Sequence, residues 1–193
     1  MIDTETYLIH LKSDFLRRVA AGFIVCIIVF AMSCVLAYLV AWWGFDDAYM
    51  IMSPIAVDGF IGTVKSAAVS QIPNVIALAV LFASVFTVVN KWIVMLLCLW
   101  KGACLGCAAY LMGSGAVRGI SGTWAWSLTF YFLAAVAFMV LASVSLVYSQ
   151  VICRMFAAEE KKYTVSIGME YLKCFLVMSG GVLILGCISV ILI

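Results

Sequence analysis

Five apolar stretches, at roughly 19–43, 73–89, 92–112, 125–150 and 174–193, dictate what this chain can fold into. Each is long enough, or nearly so, to cross the ~30 Å hydrocarbon core of a bilayer as a helix rising ~1.5 Å per residue. With 67% hydrophobic and 10% charged residues, the composition excludes an ordinary soluble domain. The expected fold is an all-α polytopic membrane protein with about five transmembrane helices. Residues 1–193 are expected to form a single transmembrane helical domain. The first stretch is too long for a secretory signal and lacks a small-x-small cleavage site, so it is expected to stay in the mature protein.

Lysine and arginine set the orientation. Lys12, Arg17 and Arg18 precede the first span, and Lys91 lies in the turn between the second and third. Arg154, Lys161, Lys162 and Lys173 fall in the connection 151–173, whereas the two opposite connections hold only Lys65 and Arg118. The N-terminus is therefore expected to be cytoplasmic and the C-terminus external.

The segments outside the spans have their own patterns. Residues 1–18 carry Leu8, Leu11, Phe15 and Val19 at helical spacing and read as a short cytoplasmic amphipathic helix. Segment 44–72 places Val57, Phe60, Ile61, Val64 and Ala68 on one face, with Asp58, Thr63, Lys65 and Ser66 polar. That pattern suits an interfacial amphipathic helix after the first span. Asp46, Asp47, Asp58, Phe60 and Lys65 are the candidate external partner surface. The loop 113–124 is glycine-rich. Glu159 and Lys162, three apart, mildly favour a short solvated helix in the cytoplasmic connection.

One residue breaks the apolar pattern. Lys101 lies about ten residues into the third stretch, roughly 15 Å deep. A charge there costs at least ~2.5–3.5 kcal/mol unless it snorkels, pairs or faces protein. No Asp or Glu lies within any span. Its ammonium must therefore use helix carbonyls, hydroxyls such as Ser127 or Thr129, internal water or a partner's carboxylate, or else lose its proton on burial. The expectation is an internal polar cavity or an intermolecular seam. Gly102 and Gly106 follow at once, continued by Ala109 and Gly113. Small residues four apart let helix backbones approach closely, within one bundle or at a dimer or partner-helix seam.

Chemistry-bearing patterns are otherwise missing from the sequence. His10 is the only histidine, and there is no metal-ligand cluster, nucleophile elbow or phosphate-cradling loop. Cys26, Cys34, Cys98, Cys104, Cys107 and Cys187 fall in spans, with Cys153 and Cys174 at cytoplasmic ends. Placed there they read as small core residues, and Cys104-x-x-Cys107 lacks the second pair or histidine that a metal or redox motif needs. No catalysis, cofactor, metal or nucleic-acid partner is expected. Membrane lipid is an expected partner, and a homo-oligomer is open.

The run Ile72-Pro73-Asn74, then Val89-Asn90-Lys91, then Leu99-Trp100-Lys101-Gly102-x-x-x-Gly106 resembles the stage II sporulation protein M family. The resemblance covers about residues 57–150. It makes Asn74, Lys101, Gly102 and Gly106 the matching positions. The fourth stretch lacks the prolines and polar residues, or the His-Gly-x-Glu pattern, of various relatives, and the second lacks their glycines. What the resemblance implies is a non-catalytic membrane scaffold that recruits and positions membrane-anchored cell-wall hydrolases at the septum during sporulation and engulfment, in the bacterial plasma membrane. The rival expectation is a membrane subunit of a small-molecule transporter working with a cytoplasmic ATPase, with Lys101 facing an anionic substrate.

Overall fold

The computed structural model of the chain describes residues 4–44, 69–113, 124–157 and 161–191. They fold into α1 (Thr4–Gly44), α2 (Ile72–Ser84), α3 (Asn90–Gly113), α4 (Trp124–Ala157) and α5 (Lys161–Ile191), and no strand occurs among them. The expected external surface residues Asp46, Asp47, Asp58, Phe60 and Lys65, and most of the loop 113–124, lie outside the described residues.

Among the described residues, four helices are long and apolar enough to cross a membrane: α1, α3, α4 and α5. The exception is α2. Its 13 residues rise about 20 Å, two-thirds of the hydrocarbon thickness. The stretch expected at 73–89 stops being α-helical at Ser84. Bonds between residues three apart, from Phe86 N–H to the Ala83 carbonyl and from Thr87 N–H to the Ser84 carbonyl (2.9 Å), tighten it into a turn that hands over to α3 at Asn90.

Two boundaries differ from expectation. Residues 4–18, the described part of the expected N-terminal helix 1–18, do not form a separate one: α1 runs unbroken for 41 residues, because no proline and only Gly22 interrupts its interior. The connection 151–173 is mostly helical as well. α4 continues to Ala157 and α5 starts at Lys161, so Arg154, Lys161, Lys162 and Lys173 belong to the two long helices.

Side-chain contacts give the helix directions. α3 partners α1 in parallel, each partner standing 72 positions later: 30 with 102, 34 with 106, and 38 with 110. α4 runs antiparallel to α1, through Phe15–Tyr148 and Gly22–Ser143. α5 runs antiparallel to α4, through Ser145–Tyr171 and Ser127–Ser189. α2 runs back along α3, through Asn74–Lys101 and Ser84–Asn90. The chain thus alternates in direction, and Thr4 and Ile191 lie at opposite ends of the bundle.

α4 is central and touches all four other helices. The core joins Cys26 and Phe30 of α1, Leu81 of α2, Cys98 of α3, Phe138, Met139 and Leu141 of α4, and Tyr171 of α5. The outward faces carry Ile24, Ile28, Val35, Leu96, Val177 and Ile184. In water such a surface would drive aggregation, whereas in a bilayer it meets solvent of its own kind.

Candidate functional site

Lys101 is 5% exposed, on the inner side of α3. Its ammonium donates a hydrogen bond to the side-chain carbonyl of Asn74 on α2. It also lies 5.1 Å from the centre of the Trp100 ring and 5.6 Å from that of Phe138. Aromatic faces attract cations, and the attraction strengthens where water is excluded. An amide carbonyl and two rings therefore hold the lysine; Ser127 hydroxyl, one expected partner, instead donates to the Ser189 carbonyl.

Asn74 passes the polarisation on. Its amide donates to the Gln71 side-chain carbonyl, and the Gln71 amide donates to the Ser70 hydroxyl at 3.3 Å. All three links point the same way, each group accepting from the lysine side and donating away from it. Dipoles aligned in this sense reinforce one another in a low dielectric and spread positive charge from Lys101 towards exposed Ser70. Gln71 was not expected from the sequence. The available signal was its position three residues before Asn74, on the same helical face. Gly186 of α5 makes room for it: a β-carbon there would collide with the Gln71 side-chain oxygen.

Gly102 and Gly106 serve close packing inside the bundle. A β-carbon on Gly102 would run into the carbonyl oxygen of Phe30 and stand 3.0 Å from the Ser33 β-carbon. On Gly106 it would run into the carbonyl of Cys34 and stand 3.0 Å from the Ala37 β-carbon. Bare backbone on α3 thus lets α1 approach, and Ser33 hydroxyl ties the seam to the Leu99 carbonyl at 2.6 Å. Of the two expectations for this motif, the described contacts place α1 of the same chain on these two glycines. Gly113, which continues the small-residue spacing, is the last residue of α3.

A second polar cluster, of which the sequence singles out only Asn90, sits at the α2–α3 turn. Ser84 hydroxyl donates to the Asn90 side-chain oxygen (2.5 Å), and the Asn90 amide donates to the Ser145 carbonyl (3.2 Å). The Ser145 hydroxyl is 2.6 Å from that of Tyr171. The Tyr171 ring stacks on Phe82 and packs against Tyr148 and Phe175. This cluster binds the turn to α4 and α5, so α2 is pinned at both ends.

No carboxylate takes part in either cluster, and no group of three or more His, Cys, Asp or Glu side chains among the described residues is arranged to hold a metal ion. All eight cysteines are free thiols. A groove of about 300 Å³ opens between α1, α3 and α4, but its walls are Cys34, Leu105, Ala109, Leu128, Thr129 and Phe132 rather than Lys101. It is a mostly apolar crevice whose one hydroxyl side chain is that of Thr129. Among known proteins, no family model, no curated sequence and no solved structure matches this chain.

Proposed function

We propose that the protein is a non-catalytic integral membrane scaffold that positions cell-wall hydrolases at the septal membrane of a sporulating bacterium. The observation that carries this reading is how Lys101, Gly102, Gly106 and Asn74 are used. The ammonium is bound by Asn74 and flanked by Trp100 and Phe138, while the glycine faces are filled by α1. The four positions that resemble the sporulation family act together to lock α1, α2 and α3 into one rigid unit. A scaffold needs such rigidity, because a partner is placed only as accurately as the helices that hold it.

A transporter subunit is the second reading, and one observation favours it. The described helix α2 opens at the depth of Lys101, and helix ends near the bilayer midplane beside a buried charge are how many carriers hold substrate. Crosslinking in native cells during starvation, followed by mild-detergent affinity purification, separates the two. Recovery of peptidoglycan hydrolases supports the scaffold. Recovery of a cytoplasmic ATPase supports the transporter subunit and overturns the scaffold, and recovery of neither class removes both.

A further inference from the structure

Four cations from three helices stand in one layer of the bundle. Ser145 and Tyr171 are hydrogen-bonded and so mark a common height on α4 and α5. Asn90 bonds Ser145 as well, which puts the start of α3 there. Phe15 meets Tyr148, three residues beyond Ser145, so Arg18, three residues on from Phe15, returns to the same height. Arg17, Arg18, Lys91 and Lys173 therefore lie within a layer about 5 Å thick. All four are exposed.

The layer lies where lipid headgroups should be. On α4, the rise from Ser145 to exposed Trp126 is 19 residues, about 29 Å, close to one hydrocarbon thickness. Trp42 and Trp43 are exposed at the same far end of α1. Exposed tryptophans thus stand at both levels, Trp42, Trp43 and Trp126 at the far one and Trp92 beside Lys91 in the cation layer, as interfacial belts do. Asp14 and Glu170 are exposed nearby, yet among the described residues no ion pair joins them to these cations.

We infer that Arg17, Arg18, Lys91 and Lys173 form a collar that binds anionic phospholipid headgroups of the adjoining leaflet, which positive-inside orientation makes the cytoplasmic one. The bilayer supplies counter-charge to cations that no described ion pair neutralises, and lipid tails reach the outward apolar faces of α1 and α3 at Ile24, Ile28 and Leu96. Each surface cation adds attraction to an anionic leaflet, and salt screens it. The inference does not depend on the scaffold or transporter reading.

The test uses the full chain in nanodiscs of phosphatidylcholine with one-third phosphatidylglycerol, counting retained lipids by native mass spectrometry after release. The expected result is at least threefold retention of phosphatidylglycerol over phosphatidylcholine, falling to near parity in R17Q/R18Q/K91Q/K173Q. The variant K161Q/K162Q, about 15 Å beyond the layer along α5, is expected to keep the wild-type selectivity. Should the quadruple variant not fold, K91Q/K173Q replaces it, with selectivity expected to fall at least twofold. Equal retention of both lipids by the wild type overturns the collar. So does unchanged selectivity in the folded collar variant, or an equal loss in K161Q/K162Q, which would reduce the effect to net charge.

Discussion

The Lys101 ammonium and the Asn74 carbonyl meet across the α2–α3 hairpin, a cation satisfied in the membrane by a neutral amide. Removing the amide strands the charge, whereas removing the charge leaves an amide that still bonds Gln71. Asn74→Leu is expected to cost about 3 kcal/mol, the size of an uncompensated buried charge. Lys101→Met should cost less, and the double variant Asn74→Leu/Lys101→Met should be more stable than Asn74→Leu alone. Unfolding in mixed micelles measures the cycle. A double variant less stable than Asn74→Leu would show that the pairing is not what holds the lysine.

The glycines divide into filled and open positions. Gly106→Ala pushes a methyl group into the α1 backbone and should destabilise the bundle by about 1–3 kcal/mol. Gly180→Ala and Gly181→Ala meet nothing within 4 Å. They are expected to be neutral or slightly stabilising, since alanine is the better helix former. Thermal stability of the three single variants in one detergent decides the matter, and equal losses would contradict the packing described for α3.

Sequence legibility followed the physics of each feature. Burying backbone in hydrocarbon forces helices, so the long apolar stretches announced α1, α3, α4 and α5. Lys101 and Gly102 were legible because a charge and a bare backbone are conspicuous among leucines. Their partners were not. Asn74 was singled out, but its bond to Lys101 depends on α2 running back along α3 in one register, which periodicity does not give. Ser84, Ser145 and Tyr171 are unremarkable in a membrane helix until tertiary packing brings them within 2.6 Å of a partner. The continuity of α1 through residues 4–18 was missed for a different reason. Polar residues can extend a helix into water at little cost, so a change in composition marks the membrane boundary without marking a helix end.

Tyr171→Phe removes the hydroxyl shared with Ser145 and keeps the ring stacked on Phe82. The expected loss is about 1 kcal/mol. Tyr171→Ala also empties the space between Phe82, Tyr148 and Phe175 and should cost about 3–5 kcal/mol. Similar losses for the two, read from unfolding midpoints, would place the energy in the hydrogen bond instead of the packing.

Sidedness has its own check. In a cysteine-free background, a single cysteine at Lys173 should react with an impermeant maleimide only from the cytoplasmic face, and one at Trp43 only from outside. Both positions are exposed. The reverse pattern would invert the orientation that the basic residues predict.

The parallel pairing of α1 with α3 also sets an order of events during biosynthesis. The groove that α1 offers at Phe30 and Cys34 has no occupant until Gly102 and Gly106 have been translated, 72 residues later. During that interval the new α1 waits in the bilayer without its closest neighbour. Its long, greasy exterior suits that wait, because a helix that must stand alone first has to be content with lipid before it can settle against protein.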